Sequence, residues 1–365
     1  MKTRKLLILL AVCLCVAACQ TDNTDMLKTI PVDVEQDLSV NLSEIADDIK
    51  KVSLELTDES LITAIGKVVY ADGMLIVNDR GRRVLVFNKE GRFLRQIGSR
   101  GQGPGEYTAI FDIAYDSDKK ILYIISSGNI LSYNIDGVFI NEYKSSYNAN
   151  FDYIFLRDGF LNLFAKRSGG RVGDKYISNV CMFRMDKDFE IADSLIVNTI
   201  VHSGGLSSFL FGDYVSHADS KTFVFHPANT IEPFNRDTLY QLIDNTLTPS
   251  FRLRFSDEGY ISADGIKPTS LRSIWRSERY LLAYYTRFIR MDIPSENVIF
   301  MHDLKTENSF NIIGGINDDV YNAGKVLLRP LHNESDLFYC IVTPKLLDAS
   351  KEEPNPDVYI GRYRK

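Results

Sequence analysis

Three stretches of this chain share one spaced pattern. Phe87-Asn88-Lys89-Glu90-Gly91-Arg92-Phe93 returns as Tyr133-Asn134-Ile135-Asp136-Gly137-Val138-Phe139. It returns again, weakened, as Phe183-Arg184-Met185-Asp186-Lys187-Asp188-Phe189. The copies lie about 46 and about 50 residues apart, a period that marks a propeller or a solenoid, because so small a unit cannot bury its apolar faces alone. The runs around the pattern choose between the two. Short β-type segments at 68–70, 74–77, 84–87 and 93–97 are split by Ala71-Asp72-Gly73, by 78–82 and by 88–91. Four antiparallel strands in about 40 residues are one blade of a β-propeller.

Four further units follow, at 111–143, 153–197, 209–255 and 271–313. The Tyr, Phe, Ile and Thr content of 270–290 favours two strands there over a helix. A last unit offers only three strands, at 325–331, 337–343 and 358–363, while the spare strand 51–56 has no hairpin partner of its own. Placing that strand outermost in the last unit predicts an all-β, six-bladed β-propeller of four-stranded antiparallel blades. The ring is then closed by the N-terminal strand joining the C-terminal blade, which protects edges that would otherwise pair between molecules.

The N-terminus predicts an address. Lys2, Arg4 and Lys5 form a positive segment, 6–16 is apolar, and Ala17-Ala18 supplies small residues before Cys19. This is an export signal, too short for a permanent span, which needs ~20 apolar residues. Val16-Ala17-Ala18-Cys19 resembles the bacterial lipobox, which implies acylation of Cys19. No Asp follows Cys19, so the resemblance implies an outer-membrane lipoprotein, on either the periplasmic or the surface face. The expected organisation is a signal peptide at 1–18, a lipidated tether and N-terminal extension at 19–40, and a propeller domain at 41–365. Loss of residues 1–18 moves the formal charge from −6 to −9, which argues against nucleic acid as a partner. Cys181 and Cys340 sit in apolar strand patterns and are expected as buried free thiols.

The chain resembles the six-bladed β-propeller lipoproteins of Bacteroidales, relatives in architecture of NHL-repeat propellers. The likeness is carried by Ile45-Ala46-Asp47-Asp48-Ile49 before the first strand, by the repeated hairpin, by Gly98-Ser99-Arg100-Gly101-Gln102-Gly103-Pro104-Gly105-Glu106-Tyr107, and by Asn355-Pro356. It implies the fold and an envelope location, and it implies no activity.

The Gly-rich stretch 98–105 lacks the following helix and the Lys-Ser/Thr pair of a phosphate loop. It reads as the link between the first two blades, with Arg100, Gln102 and Glu106 free to touch a ligand. No GxSxG elbow is present, and His202, His217, His226, His302 and His332 form no close metal-binding pair. Asp79, Asp112 and Glu106 near strand ends offer oxygen ligands of the kind Ca²⁺ takes, with turn formation as the competing role. In a blade with strands a to d, the a–b and c–d turns share one face of the ring; the b–c loops and d–a links share the other. Acids such as Asp72, Glu90, Asp136 and Asp186 fall on the first face. Arg80, Arg82, Arg83, Arg167, Arg171, Arg287 and Arg290 fall on b–c loops, with Arg100 on a d–a link. A basic mouth of this kind suits anionic or carboxylate-bearing ligands, which arginine pairs in bidentate fashion.

These features predict a cell-envelope propeller that binds a glycan, a peptide or an envelope protein, or that docks a partner in an outer-membrane complex. The alternative is a metal-assisted hydrolase or lyase with its site in the central channel.

Overall fold

A computed structural model describes residues 27–144, 150–203, 213–226, 234–256, 268–288, 295–331, 335–344 and 353–365. Within them six antiparallel sheets follow one another along the chain. Blade 1 comprises Ile65–Ala71, Met74–Asp79, Arg83–Asn88 and Phe93–Ile97. Blade 2 comprises Asp112–Asp116, Ile121–Ser126, Asn129–Asn134 and Phe139–Tyr143. Blade 3 is taller: Asn150–Arg157, Phe160–Val172, Lys175–Met185 and Ile191–His202. Blade 4 holds Val215–Ala218, Lys221–Val224, Thr238–Ile243 and Thr246–Phe255. Blade 5 holds Thr269–Arg276, Tyr280–Arg287, Glu296–Asp303 and Ser309–Ile313. Blade 6 combines Arg329–Pro330, Leu337–Val342 and Asp357–Tyr363 with Ala46–Ser53. The protein is an all-β, six-bladed propeller. One short helix, Leu42–Ile45, interrupts the pattern among the described residues.

The core is divided among the blade junctions. Six apolar clusters each join two neighbouring blades, and one of them joins blade 6 to blade 1. Successive side chains of a strand point to opposite faces, and here both faces are covered. Leu75 and Val77 pack toward blade 6, and Ile76 between them packs toward blade 2. All three are fully buried. This is why the central strands read as unbroken apolar runs, although the sheets are antiparallel.

Closure occurs where expected, with shifted bounds. Ala46–Ser53 pairs antiparallel with Asp357–Tyr363, placing Ala46 opposite Tyr363 and Val52 opposite Val358. The strand expected at 51–56 therefore starts earlier and stops at Ser53. Ala46 to Ile49, expected to precede it, lie inside it around a bulge at which Asp48 takes φ 52°. Beyond Ser53 the chain leaves blade 6, and the Glu55 amide donates to Gly91 O of blade 1 at 2.8 Å. Asn355 secures that crossing. Its amide donates to Glu55 O and Ser60 O, and its oxygen accepts from the Ile62 amide.

Two further details differ from expectation. Within the stretch 19–40 expected as tether and extension, Lys28–Val32 forms a fifth strand, parallel to the outermost strand of blade 4. Ile30 and Val32 are buried there. The chain then runs over blade 5, where Leu38 donates to Asn311 O and Asn311 to Gln36 O. In blade 6 the stretch 325–331 is not one strand. Gly324–Val326 pairs instead with Ile316–Asp318 in a separate ribbon, which leaves Arg329–Pro330 as the innermost strand.

The third copy of the repeated hairpin is also displaced by two residues. The amide of Asn88 donates to Arg92 O, and that of Gly91 to Asn88 O; Asp186 with Glu190 and Phe189 repeats both bonds. Phe189 thus occupies the position of Gly91, at φ 65° against 85°. The aromatic residue takes the left-handed conformation with its ring buried at the junction of blades 2 and 3, against Tyr123 and Tyr143 of blade 2. Cys181 and Cys340 are buried free thiols, as expected.

Candidate functional site

The innermost strands carry unpaired backbone groups to the ring axis, and charged side chains meet them there. Lys67 of blade 1 pairs with Asp112 of blade 2 at 2.9 and 3.0 Å, both residues buried. Asp112 also accepts the Ile154 amide of blade 3 at 2.9 Å. The Lys67 ammonium lies 4.7 Å from the centre of the Tyr153 ring. Opposite, Arg329 of blade 6 pairs with Asp213 at the start of blade 4 at 2.9 and 3.3 Å, and donates to Gly66 O of blade 1 at 2.8 Å. Blades 4 and 6 are not neighbours, so this pair crosses the axis. The Tyr153 and Tyr214 rings, 5.0 Å apart, fill the space between. Most of these residues lie at or near the start of innermost strands, so the belt closes the channel at the face of the b–c loops and d–a links.

Asp152 is the exception. It is the extra residue of a bulge between Phe151 and Tyr153, and one of its carboxylate oxygens is buried without a hydrogen-bond partner. Burial pushes its pKa up to about 7; Lys166 opposes the shift and Asp112 adds to it.

The sequence-derived candidates are distributed around this closed axis. Arg83 is engaged with Asp79, Glu59 O and Leu61 O. Arg287 is engaged with Glu296, Asp37 and Val34 O, which ties the N-terminal segment to blade 5. Arg82 makes one bond, to the Thr63 hydroxyl at 3.2 Å. Arg80, Arg100 and Gln102 are exposed. The b–c loop bearing Arg80 and Arg82 is held beside the link to blade 2 by the Ile110 amide, 3.0 Å from Gly81 O. Arg167 and Arg171 stand apart on the tall blade 3 hairpin, where Arg171 lies over the Tyr176 ring at 4.2 Å and bonds its hydroxyl at 2.9 Å. Arg290 lies outside the described residues.

The Gly-rich link folds upon itself. Ser99–Arg100 pairs parallel with Glu106–Tyr107, and the Glu106 carboxylate accepts the Gly103 amide at 2.8 Å. A Cβ at Gly101 would lie 2.0 Å from Glu106 Oε2, so any larger residue there would displace the Glu106 carboxylate. Glu106 is thus part of the loop's own framework. Asp79 accepts the Thr63 and Ala64 amides, so each of the three carboxylates considered for Ca²⁺ faces protein donors. Among the described residues no three His, Cys, Asp or Glu side chains converge closely enough to hold a metal ion. His332 lies outside those residues. The belt residues Lys67, Asp213 and Arg329 did not stand out in the sequence. Their signal was a charge inside an apolar strand run, as in Ile65-Gly66-Lys67-Val68-Val69 and Leu327-Leu328-Arg329-Pro330-Leu331.

Fold and closed channel together define a six-bladed β-propeller with its loops displayed on a plugged face. By sequence the chain belongs to the family described as domain of unknown function DUF4934, whose model matches residues 27–360. Among solved structures it is similar to a Bacteroides fragilis protein described as exported, at 18% identity and TM-score 0.65, covering 93% of this chain and 100% of that one. A gluconolactonase from Xanthomonas campestris matches at 12% identity and TM-score 0.45, over 90% of this chain and 94% of its own. A virginiamycin B lyase from Staphylococcus aureus matches at 8% and 0.43, over 86% and 99%. These likenesses concern the fold alone. No curated protein matches the sequence.

Two outcomes test the belt. Asp112→Ala leaves the buried Lys67 ammonium uncompensated and is expected to lower unfolding free energy by about 3–5 kcal/mol in urea denaturation; Lys67→Met added to it should restore a large part. The raised Asp152 pKa means the folded state holds a proton that the unfolded chain releases near pH ~4. Its contribution is therefore neutral below that pH and destabilising as pH rises toward 7. Asp152→Asn should remove this decline, so the variant's advantage over wild type grows from pH 4 to 8 in thermal unfolding.

Proposed function

We propose that the chain is an exported, lipid-anchored propeller that binds an anionic ligand or partner on its b–c and d–a face. One observation carries this reading. The channel is closed at that face by ion pairs satisfied within the protein, while Arg80, Arg82 and Arg100 on the surrounding loops retain guanidinium donors. The chain as a whole is acidic, with a formal charge of −6, so a local basic rim provides selectivity for anions. A glycan, a peptide or an envelope protein bearing carboxylates meets that chemistry. The metal-assisted alternative has no ligand set among the described residues.

The anchor is read from Cys19. A Cys19→Ser variant should leave the membrane fraction on cell fractionation, and a wild-type protein already soluble would oppose the anchor. For binding, the triple variant Arg80→Ala, Arg82→Ala, Arg100→Ala should weaken retention on a carboxylated polysaccharide by about tenfold and flatten its salt dependence. Unchanged retention and unchanged salt dependence would refute the rim.

A further inference from the structure

A cavity of about 340 Å³ lies where the Gly-rich link meets blade 2. Residues 101–104 with Glu106 form one wall, and the hairpin at 126–129 forms a second. Glu142 and Lys144, at and just beyond the end of the outermost strand, form the third. A d–a link, a b–c loop and this strand end all lie on the face that carries the rim. Ligand sites commonly span ~300–1,000 Å³, so there is room for a sugar-sized ring. The walls are fixed to one another before any ligand arrives. Thr108 and Ser127 share a hydrogen bond between their hydroxyls at 2.6 Å, and the Thr108 amide donates to Ser126 Oγ at 3.3 Å. Ser127 and Gly128 take φ 49° and 85°, the two left-handed positions of a type I′ hairpin turn. A site held in this way loses little entropy on binding.

Two carboxylates line the cavity, and each has one oxygen committed to the protein. Glu106 Oε2 accepts the Gly103 amide at 2.8 Å, and Glu142 Oε1 accepts the Asn129 side-chain amide at 3.0 Å. The other oxygens are weakly engaged. Glu106 Oε1 has the Ser99 hydroxyl at 3.4 Å. Glu142 Oε2 has the Lys144 ammonium at 3.8 Å, on a side chain 79% exposed, while the Glu142 side chain itself is only 18% exposed. Two carboxylates against one loosely held ammonium favour a cation. With one lightly used oxygen on each, they suit the convergent donors of a primary ammonium; a guanidinium fork calls for both oxygens of one carboxylate. Arg100 does not compete for them. In the ribbon Ser99 stands opposite Glu106 and Arg100 opposite Tyr107, so Arg100 leaves on the face away from Glu106. Ser126 adds a second requirement. It is 4% exposed, accepts the Thr108 amide, and has no acceptor for its own hydroxyl proton among the described residues. The exposed Gln102 amide has no protein partner among them either. A ligand with hydroxyls beside its ammonium meets both, since a hydroxyl accepts as well as donates. A plain aliphatic amine would leave Ser126 and Gln102 unmet.

We propose that this cavity binds an amino sugar with a free amine, its ammonium between Glu106 and Glu142 and its hydroxyls on Ser126 and Gln102. The site is separate from the arginine rim and does not rest on it.

The test is calorimetric titration of the soluble Cys19→Ser protein with a glucosamine disaccharide, with its N-acetylated form and with an aliphatic diamine, at a pH that keeps the amines protonated. The free-amine disaccharide should bind at least about tenfold more tightly than either of the others. Glu142→Gln keeps an oxygen for Asn129 and removes the charge. It should weaken that binding by about tenfold or more, with the thermal midpoint unchanged. Lys144→Ala removes the competing cation and should tighten it by at least about twofold, a gain that misfolding cannot produce. Equal binding of the N-acetylated form would overturn the ammonium, and equal binding of the diamine would overturn the sugar. No binding of the free-amine disaccharide, full binding by Glu142→Gln, or no gain in Lys144→Ala would overturn the site. The triple rim variant should bind the amino sugar at least as tightly as wild type does while losing the carboxylated polysaccharide; loss of the amino sugar as well would overturn a separate site. If that variant keeps both ligands, the rim falls and the cavity stands. If wild type ignores the amino sugar while the rim variant loses the polysaccharide, the cavity falls and the rim stands.

Discussion

Two ion pairs at the ring axis hold together what the blade junctions cannot. Six sheets arranged radially bring six strand edges to one line, and each edge has amide and carbonyl groups with no neighbouring strand to bond. Apolar side chains could fill that space but could not satisfy those groups. Asp112 accepts the Ile154 amide while neutralising Lys67, and Arg329 donates to Gly66 O while pairing with Asp213. Asp112 and Arg329 each serve a partner charge and a backbone group together. This is the condition under which burying an ion pair is tolerable, since Coulombic attraction alone rarely offsets desolvation. Buried charges therefore span the axis, and on the function proposed here ligand chemistry falls to the loops.

The fold was legible because it rests on local repetition. The period is shared by propellers and solenoids, four short strands to each repeat select the propeller, and the turns announce themselves through residues such as Asn88, Gly91, Asn134 and Gly137. What the pattern concealed was long-range. Lys28–Val32 has two buried apolar residues around Pro31, too few to signal a strand, and its partner lies more than two hundred residues away. The third hairpin was read two positions early because Phe183 matched Phe87 in type. Backbone bonding shows that Asp186, not Arg184, does the work of Asn88.

The site was less legible than the fold, for a physical reason. A sequence shows that an arginine is present but not what it faces. Arg83 and Arg82 are neighbours on one loop. The first is tied to Asp79 and two carbonyls, and the second to one hydroxyl. Arg287 looked equally available until the N-terminal segment was seen crossing it at Asp37 and Val34. Asn198, Arg236 and Arg252 line one cavity between blades 3 and 4, yet they come from two blades and share no spacing in the chain.

The N-terminal segment also restricts where the ring can sit. Lys28 is the first residue fixed on blade 4, and only nine peptide steps separate it from Cys19. At full extension these span ~30 Å. On the anchor proposed at Cys19, the outer edge of blade 4 is therefore held within about that distance of the membrane. Because Lys28–Val32 runs parallel to Thr246–Phe255 and Lys28 pairs with Glu307 in the c–d turn of blade 5, the chain enters from the face of the a–b and c–d turns, opposite the b–c loops and d–a links. On that anchor the arginine-bearing loops point away from the membrane, an orientation in which a soluble partner meets them without steric conflict with the bilayer.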